Sequence, residues 1–167
     1  MRRCTIALAA ALLLAGCGSD DSSDTPASAA APAAASAPPA ASTAATAPRR
    51  TGTLIKLAGS DYGRILYDGR GQAIYLFTRD RFKQTRCFGE CADAWPPVYT
   101  RGLPRAGRGV NVRLLGTIAR NGRRQVTYAG RPLYFYAHEG RNQVLCQNVY
   151  EFGGTWLVVK ASGRPVR

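Results

Sequence analysis

The chain has 167 residues, enough for one modest domain plus extensions, with 23 Lys and Arg against 10 Asp and Glu, a net charge of +13. So basic a chain favours anionic partners, although arginine outnumbers lysine 20 to 3, a bias that genomic base composition produces without any ligand. The apolar run Ile6 to Ala15 covers ten residues, half of the roughly 20 that a membrane-spanning helix needs, so it does not read as a span.

That run follows the basic Met1–Arg3 and has the length of a signal-peptide h-region. Leu14-Ala15-Gly16-Cys17 comes next and is similar to the bacterial lipobox, which is cut ahead of a cysteine that takes lipid. Residues 1–16 therefore read as a lipoprotein signal peptide and Cys17 as the membrane anchor. The other reading is an ordinary signal peptide cut near Ala15 or Gly16. Each buried methylene of a lipid chain contributes ~0.8 kcal/mol, and several chains together hold a protein to a membrane. Gly18 rather than aspartate follows the cysteine, which by resemblance to sorting in Gram-negative bacteria favours the outer membrane over the inner. An exported protein has no nucleic acid to meet, so anionic envelope components such as lipopolysaccharide, anionic lipid or acidic glycan are the expected partners. Cys4 leaves with the signal and Cys17 takes lipid, so Cys87, Cys91 and Cys146 remain. In an oxidising compartment one disulfide is expected among these three.

Ser19 to Pro48 is mostly Ala, Pro, Ser and Thr and offers nothing to bury. Residues 17–50 read as a disordered tether, about 30 Å long by coil scaling. Pro26, Pro32, Pro38, Pro39 and Pro48 argue against a helical stalk.

The folded part is expected over residues 51–167, and Arg49 to Arg167 holds 21 Lys and Arg against 7 Asp and Glu, a net charge of +14. Thr53–Leu57 reads as a strand. Ile65–Tyr67 and Ile74–Phe77 read as a strand pair turning at Asp68-Gly69. Arg79–Arg86 is polar and loop-like, and Cys91–Trp95 makes one helical turn stopped by Pro96-Pro97. Gly102–Gly109 is a basic connector. Val110–Ile118 is apolar with polar interruptions, and Asn121-Gly122 is a strong hairpin signal between strands that end at Ala119 and start near Arg123. Ala129-Gly130 turns the chain again, Leu133–Tyr136 returns it, and Trp156–Val159 is a late strand. No stretch of 10–15 residues shows helical periodicity. The fold class is all-β: a compact antiparallel domain.

The domain repeats itself, about 52–100 and again about 108–163. Tyr67-Asp68-Gly69-Arg70 parallels Tyr128-Ala129-Gly130-Arg131, and Ile74-Tyr75-Leu76-Phe77 parallels Leu133-Tyr134-Phe135-Tyr136. Asp80 parallels Glu139, with a cysteine seven residues beyond each, Cys87 and Cys146. Trp95 and Trp156 come later. Two related strand–turn–strand units can share a core that neither closes alone.

Tyr75-Leu-Phe-Thr-Arg-Asp80 matches a Y-x-[FWY]-x-x-D signature. Together with Cys87-Phe-Gly-Glu-Cys91, Trp95-Pro96-Pro97 and Gln125-Val-Thr-Tyr-x-Gly130 it resembles a family of predicted bacterial lipoproteins, the secreted repeat of unknown function. The resemblance spans roughly Tyr62 to Val159. It implies an envelope location and a repeat architecture, and no activity. It departs at Glu139, where the family has aspartate, and at Cys146-Gln147-Asn148. It also places a cysteine pair at Cys87 and Cys91, which closes the shortest loop; a Cys87–Cys146 bond between equivalent positions is the alternative.

Tyr75, Phe77, Tyr134 and Tyr136 share strand faces in pairs and read as core rather than as an aromatic platform. Asp80 and Glu139 read as turn acids rather than as the paired carboxylates of a hydrolase. Cys87, Cys91, Cys146 and His138 form the alternative ligand set for copper or zinc. No G-x-S-x-G elbow supports a serine hydrolase. The sequence thus reads as a non-enzymatic binding or structural lipoprotein of the envelope. A thiol-based metal or redox protein and a glycan- or lipopolysaccharide-binding module are the alternatives.

Overall fold

The computed structural model describes residues 51–167. The signal peptide, Cys17 and the tether lie outside the described residues. Within them are ten short strands: β1 (Leu54–Ser60), β2 (Gly63–Asp68), β3 (Tyr75–Phe77), β4 (Tyr99–Thr100), β5 (Arg105–Ala106), β6 (Leu115–Arg120), β7 (Arg123–Tyr128), β8 (Arg131–Pro132), β9 (Val149–Glu151) and β10 (Gly154–Val158). One helical turn, α1, covers Glu90–Ala94, and a 3-10 turn covers Val112–Leu114. The expected all-β class holds. No described helix is long and apolar enough to cross a membrane.

The strands form three sheets, ordered β2-β1-β5, β3-β10-β9 and β4-β7-β6 with β8 on β7. All pairs are antiparallel except β1 with β5. The two long hairpins are β1–β2, with Ser60 opposite Gly63, and β6–β7, with Arg120 opposite Arg123. Asn121 and Gly122 both take positive φ, 48° and 72°, as the primed two-residue turn demands. The Asp61-Tyr62 turn carries no such signal in sequence. It is held by Ser60, whose Oγ accepts from Tyr62 N–H at 3.1 Å and donates to Gly63 O at 2.8 Å.

The repeats interlock rather than sit side by side. β3 of the first repeat leaves β2 after two backbone bonds, Asp68 N–H to Gln72 O at 3.0 Å and Ile74 N–H to Leu66 O at 3.1 Å, and pairs with β10 of the second. Reciprocally, Tyr134 bridges Pro97, and Phe135 N–H donates to Pro96 O at 2.8 Å. At the crossing Tyr75 and Tyr134 exchange both backbone bonds, at 2.9 and 3.0 Å. Neither repeat therefore closes its own sheets, and the expected simple return strand onto β2 is corrected to an exchange between repeats.

The backbone bonds also correct the alignment of the repeats. Leu66 N–H donates to Val159 O and Val126 N–H to Val98 O, both at 2.8 Å, so Leu66 corresponds to Val126. Asp68 then corresponds to Tyr128, and Tyr67 to Thr127. The first turn, between Asp68 and Gln72, is one residue longer than the second, between Tyr128 and Arg131. A one-residue slip moves a side chain to the other face of its strand. Accordingly, Tyr67 and Tyr128 belong to different halves of the core.

Alternation along β2, β3 and β10 feeds both halves. Ile65, Tyr67, Tyr75, Phe77, Trp156 and Val158 face one cluster, while Leu66, Leu76 and Leu157 face the other. In the first cluster Trp95 and Trp156 stack at 4.0 Å and 1°. Each tryptophan meets the edge of its own repeat's tyrosine, Tyr75 or Tyr134, at 5.2 Å. Each also packs on the other repeat's ring, Trp156 on Phe77 at 4.2 Å and Trp95 on Tyr136 at 4.9 Å.

Candidate functional site

The signature residues converge on this crossing. Tyr75, Phe77, Trp95 and Tyr134 are fully buried and Tyr136 nearly so, so they form core and no aromatic platform. Pro96 is partly exposed and spends its carbonyl on Phe135.

The two signature acids are crossed between the repeats. Tyr134 Oη donates to Asp80 Oδ2 at 2.7 Å, and Tyr75 Oη donates to Glu139 Oε1 at 2.5 Å. Each acid also accepts a backbone N–H six residues on, Arg86 to Asp80 and Leu145 to Glu139, both at 2.6 Å. These bonds fold each loop back so that Cys87 and Cys146 enter the core, both fully buried. Asp80 and Glu139 are only 5% and 7% exposed. They act as loop anchors, each tied to the opposite repeat.

Charge breaks the symmetry. Gln72 and Arg131 occupy corresponding places: Gln72 Nε2 donates to Tyr136 O at 3.1 Å and Arg131 Nη2 to Phe77 O at 3.2 Å. Ser60 corresponds likewise to Arg120, at the end of β6. Arg120 is buried and donates to Thr85 Oγ1, Gln125 Oε1 and the Cys87 carbonyl. Burial raises the Asp80 pKa, opposed by Tyr134, the Arg86 N–H, Arg131 and Arg120. Burial raises Glu139 further, to about 7, opposed only by the Tyr75 and Leu145 bonds. Glu139 Oε2 has no hydrogen-bond partner among the described residues. Burial and the neighbouring carboxylates push both Tyr75 and Tyr134 well above the ordinary phenol range.

Cys87 and Cys91 are joined as a disulfide, Cα atoms 5.2 Å apart, across the entry to α1. Cys146 is a partner of neither. The disulfide takes two sulfurs out of the copper or zinc set, and the described residues contain no group of three or more His, Cys, Asp or Glu placed to hold a metal ion. His138 is exposed, with its ring edge-on to Tyr136 at 5.6 Å.

Residues 56–99 match the family model of the secreted repeat of unknown function. The match covers β1 to the start of β4, which is the first repeat with its signature tyrosine, acid, disulfide and tryptophan. No curated protein and no solved structure matches the chain. The structure places the second repeat in reciprocal contact with this matched segment, through β3 on β10 and the bridges of Tyr134 to Tyr75 and Pro97.

A concavity lies away from the signature residues. The start of β1, the turn after β2, the segment from β4 to β5 and the β6–β7 turn enclose about 800 Å³. Arg70, Arg101, Arg105, Arg123 and Arg124 line it. Arg123 lies over the Tyr99 ring at 3.6 Å. The one acid in the lining is Asp68, whose Oδ1 accepts from Arg70 and Gln72 N–H, both at 2.9 Å. Sequence reasoning registered the positive charge of the domain without locating it, because these arginines come from three separated segments.

Proposed function

We propose that the protein is a lipid-anchored, non-enzymatic binding component of the bacterial envelope, held at the outer membrane through Cys17. The observation that carries this reading is the crossed pair of tyrosine–acid bonds. The acids best placed by sequence to do chemistry are sealed in the core and hold loops there, 2.5 and 2.7 Å from their tyrosines. Membership of the first repeat in a secreted family and the lipobox-like Leu14-Ala15-Gly16-Cys17 support the location. Replacing Cys17 with alanine should block lipidation and shift the protein from the outer-membrane fraction to the soluble one. A processed Cys17→Ala protein that still cofractionates with outer membrane overturns the anchor.

A further inference from the structure

We propose that the arginine-lined cleft beside Asp68 is a binding site for a small molecule carrying two or more phosphate groups. This rests on reading the protein as a binding rather than a purely structural component, and it is independent of where the protein is anchored.

The argument comes from the duplication. Two interlocked repeats place two equivalent concavities on the fold, one beside Asp68 and one beside Tyr128. The second is filled. Tyr128 is fully buried, and its hydroxyl bridges the flanking segments, accepting from Asn111 N–H at 3.2 Å and donating to Ala161 O at 2.8 Å. In the first, the short Asp68 turns back onto its own turn, and the space stays open at about 800 Å³. That size lies within the range of small-molecule sites.

The rims differ as sharply. By the backbone correspondence, Arg101 and Arg123 of the open cleft answer to Ser162 and Gly63 of the filled one, and Arg124 to an arginine, Arg64. Arg105 pairs with β1, a contact that Val166, bonded to Val158, does not repeat. A base-composition bias toward arginine acts on both repeats alike and does not gather the residues at the open cleft. Arg70 pairs with Asp68 at 3.7 Å, Arg105 Nε donates to Gly52 O at 3.2 Å and Arg123 lies on Tyr99. Each of these contacts holds one arginine singly, and because like charges repel they give no rationale for gathering five at one cleft. An anion that several guanidinium groups share supplies one.

The number of arginines selects the anion. One guanidinium fork satisfies a carboxylate in bidentate fashion. A phosphate offers more oxygens and up to two charges and accepts several forks at once. Five arginines spread around a cleft of about 800 Å³ match the charge and size of a ligand with more than one phosphate group. Arg123 is held over the Tyr99 ring at 3.6 Å and is exposed toward the cleft it lines.

The test is calorimetric titration of tripolyphosphate into the full chain in neutral detergent at physiological ionic strength. A saturable site is expected. The double variant Arg101→Gln with Arg124→Gln should weaken it by about tenfold or more, a factor equal to about 1.4 kcal/mol. Arg108→Gln with Arg164→Gln removes the same charge outside the cleft and should leave it within about twofold. Both variants should melt with the parent, since all four side chains are exposed. Competition then names the source: displacement by a bis-phosphorylated glycolipid in micelles assigns a lipid headgroup, and displacement by a soluble sugar bisphosphate assigns a free metabolite. Absence of saturable binding, or equal weakening by the two double variants, overturns the proposal. That failure is read in calorimetry alone, whereas failure of the anchor is read in fractionation.

Discussion

The loop anchored by Asp80 and the loop anchored by Glu139 are the same device built twice, with different electrostatics. Both acids accept a tyrosine hydroxyl from the other repeat and a backbone N–H six residues on. Around Asp80 stand Arg131 and Arg120; at the corresponding places near Glu139 stand Gln72 and Ser60. Two neutral-for-cation differences thus leave one buried carboxyl balanced and the other prone to hold its proton. Duplication preserves the hydrogen bonds, which the backbone path enforces, while the charge around them is free to diverge.

The largest test of this comparison concerns what the repeats share. Trp95→Ala and Trp156→Ala should each destabilise the fold by about 3–5 kcal/mol, the usual cost of truncating a large core aromatic. Denaturant unfolding with unchanged m-values checks it. A cost below about 1 kcal/mol at either tryptophan would show that the repeats do not share one stacked core.

Next is the pH dependence of the Glu139 site. Its carboxyl is raised from 4.5 to about 7 by burial, so the folded state binds a proton that the unfolded chain releases. The folded state then holds more protons between about pH 4.5 and 7, and stability falls as pH rises through that window. The change is up to about 3 kcal/mol, at about 1.36 kcal/mol per pH unit. Glu139→Gln should flatten this slope and leave stability at low pH nearly unchanged. An equally steep slope in Glu139→Gln would locate the titration elsewhere. Asp80→Asn sharpens the contrast, because it leaves Arg120 buried without its anionic neighbour and should be destabilising at neutral pH, by about 1–3 kcal/mol.

The smallest effect separates the two cysteine loops. The second repeat has no cysteine after Cys146, so the Cys87–Cys91 bond has no duplicate there. Closing five residues stabilises the fold by roughly 2 kcal/mol in the chain-entropy account, and Cys91→Ser should lose about that much. Mapping the tryptic peptide between Arg86 and Arg101 without reduction checks the pairing directly.

Much of the fold was legible because it depends on local chemistry. Asn121, Gly122 and Gly130 take the positive φ that their residue types announce, whereas Ala129 takes φ 48° against its type because the two-residue turn requires it. Pro96-Pro97 stops the short helix, and alternation at Tyr75 and Phe77 places them on one buried face. The repeat, its buried tyrosines and its adjacent cysteine pair were likewise written in residue identity and spacing. Tertiary structure alone decided how strands of the two repeats pair with each other. β3 has apolar residues on both faces and fits β10 as well as β2, and only closure of the shared core selects the exchange. It also decided the true register of the repeats, because a turn longer by one residue is invisible until backbone bonds fix the face of each side chain. The charge environment of the acids was hidden for the same reason. Arg120 lies 40 residues from Asp80 in the chain, and Arg70 and Arg124 are brought to one cleft by strands that neither sequence window contains.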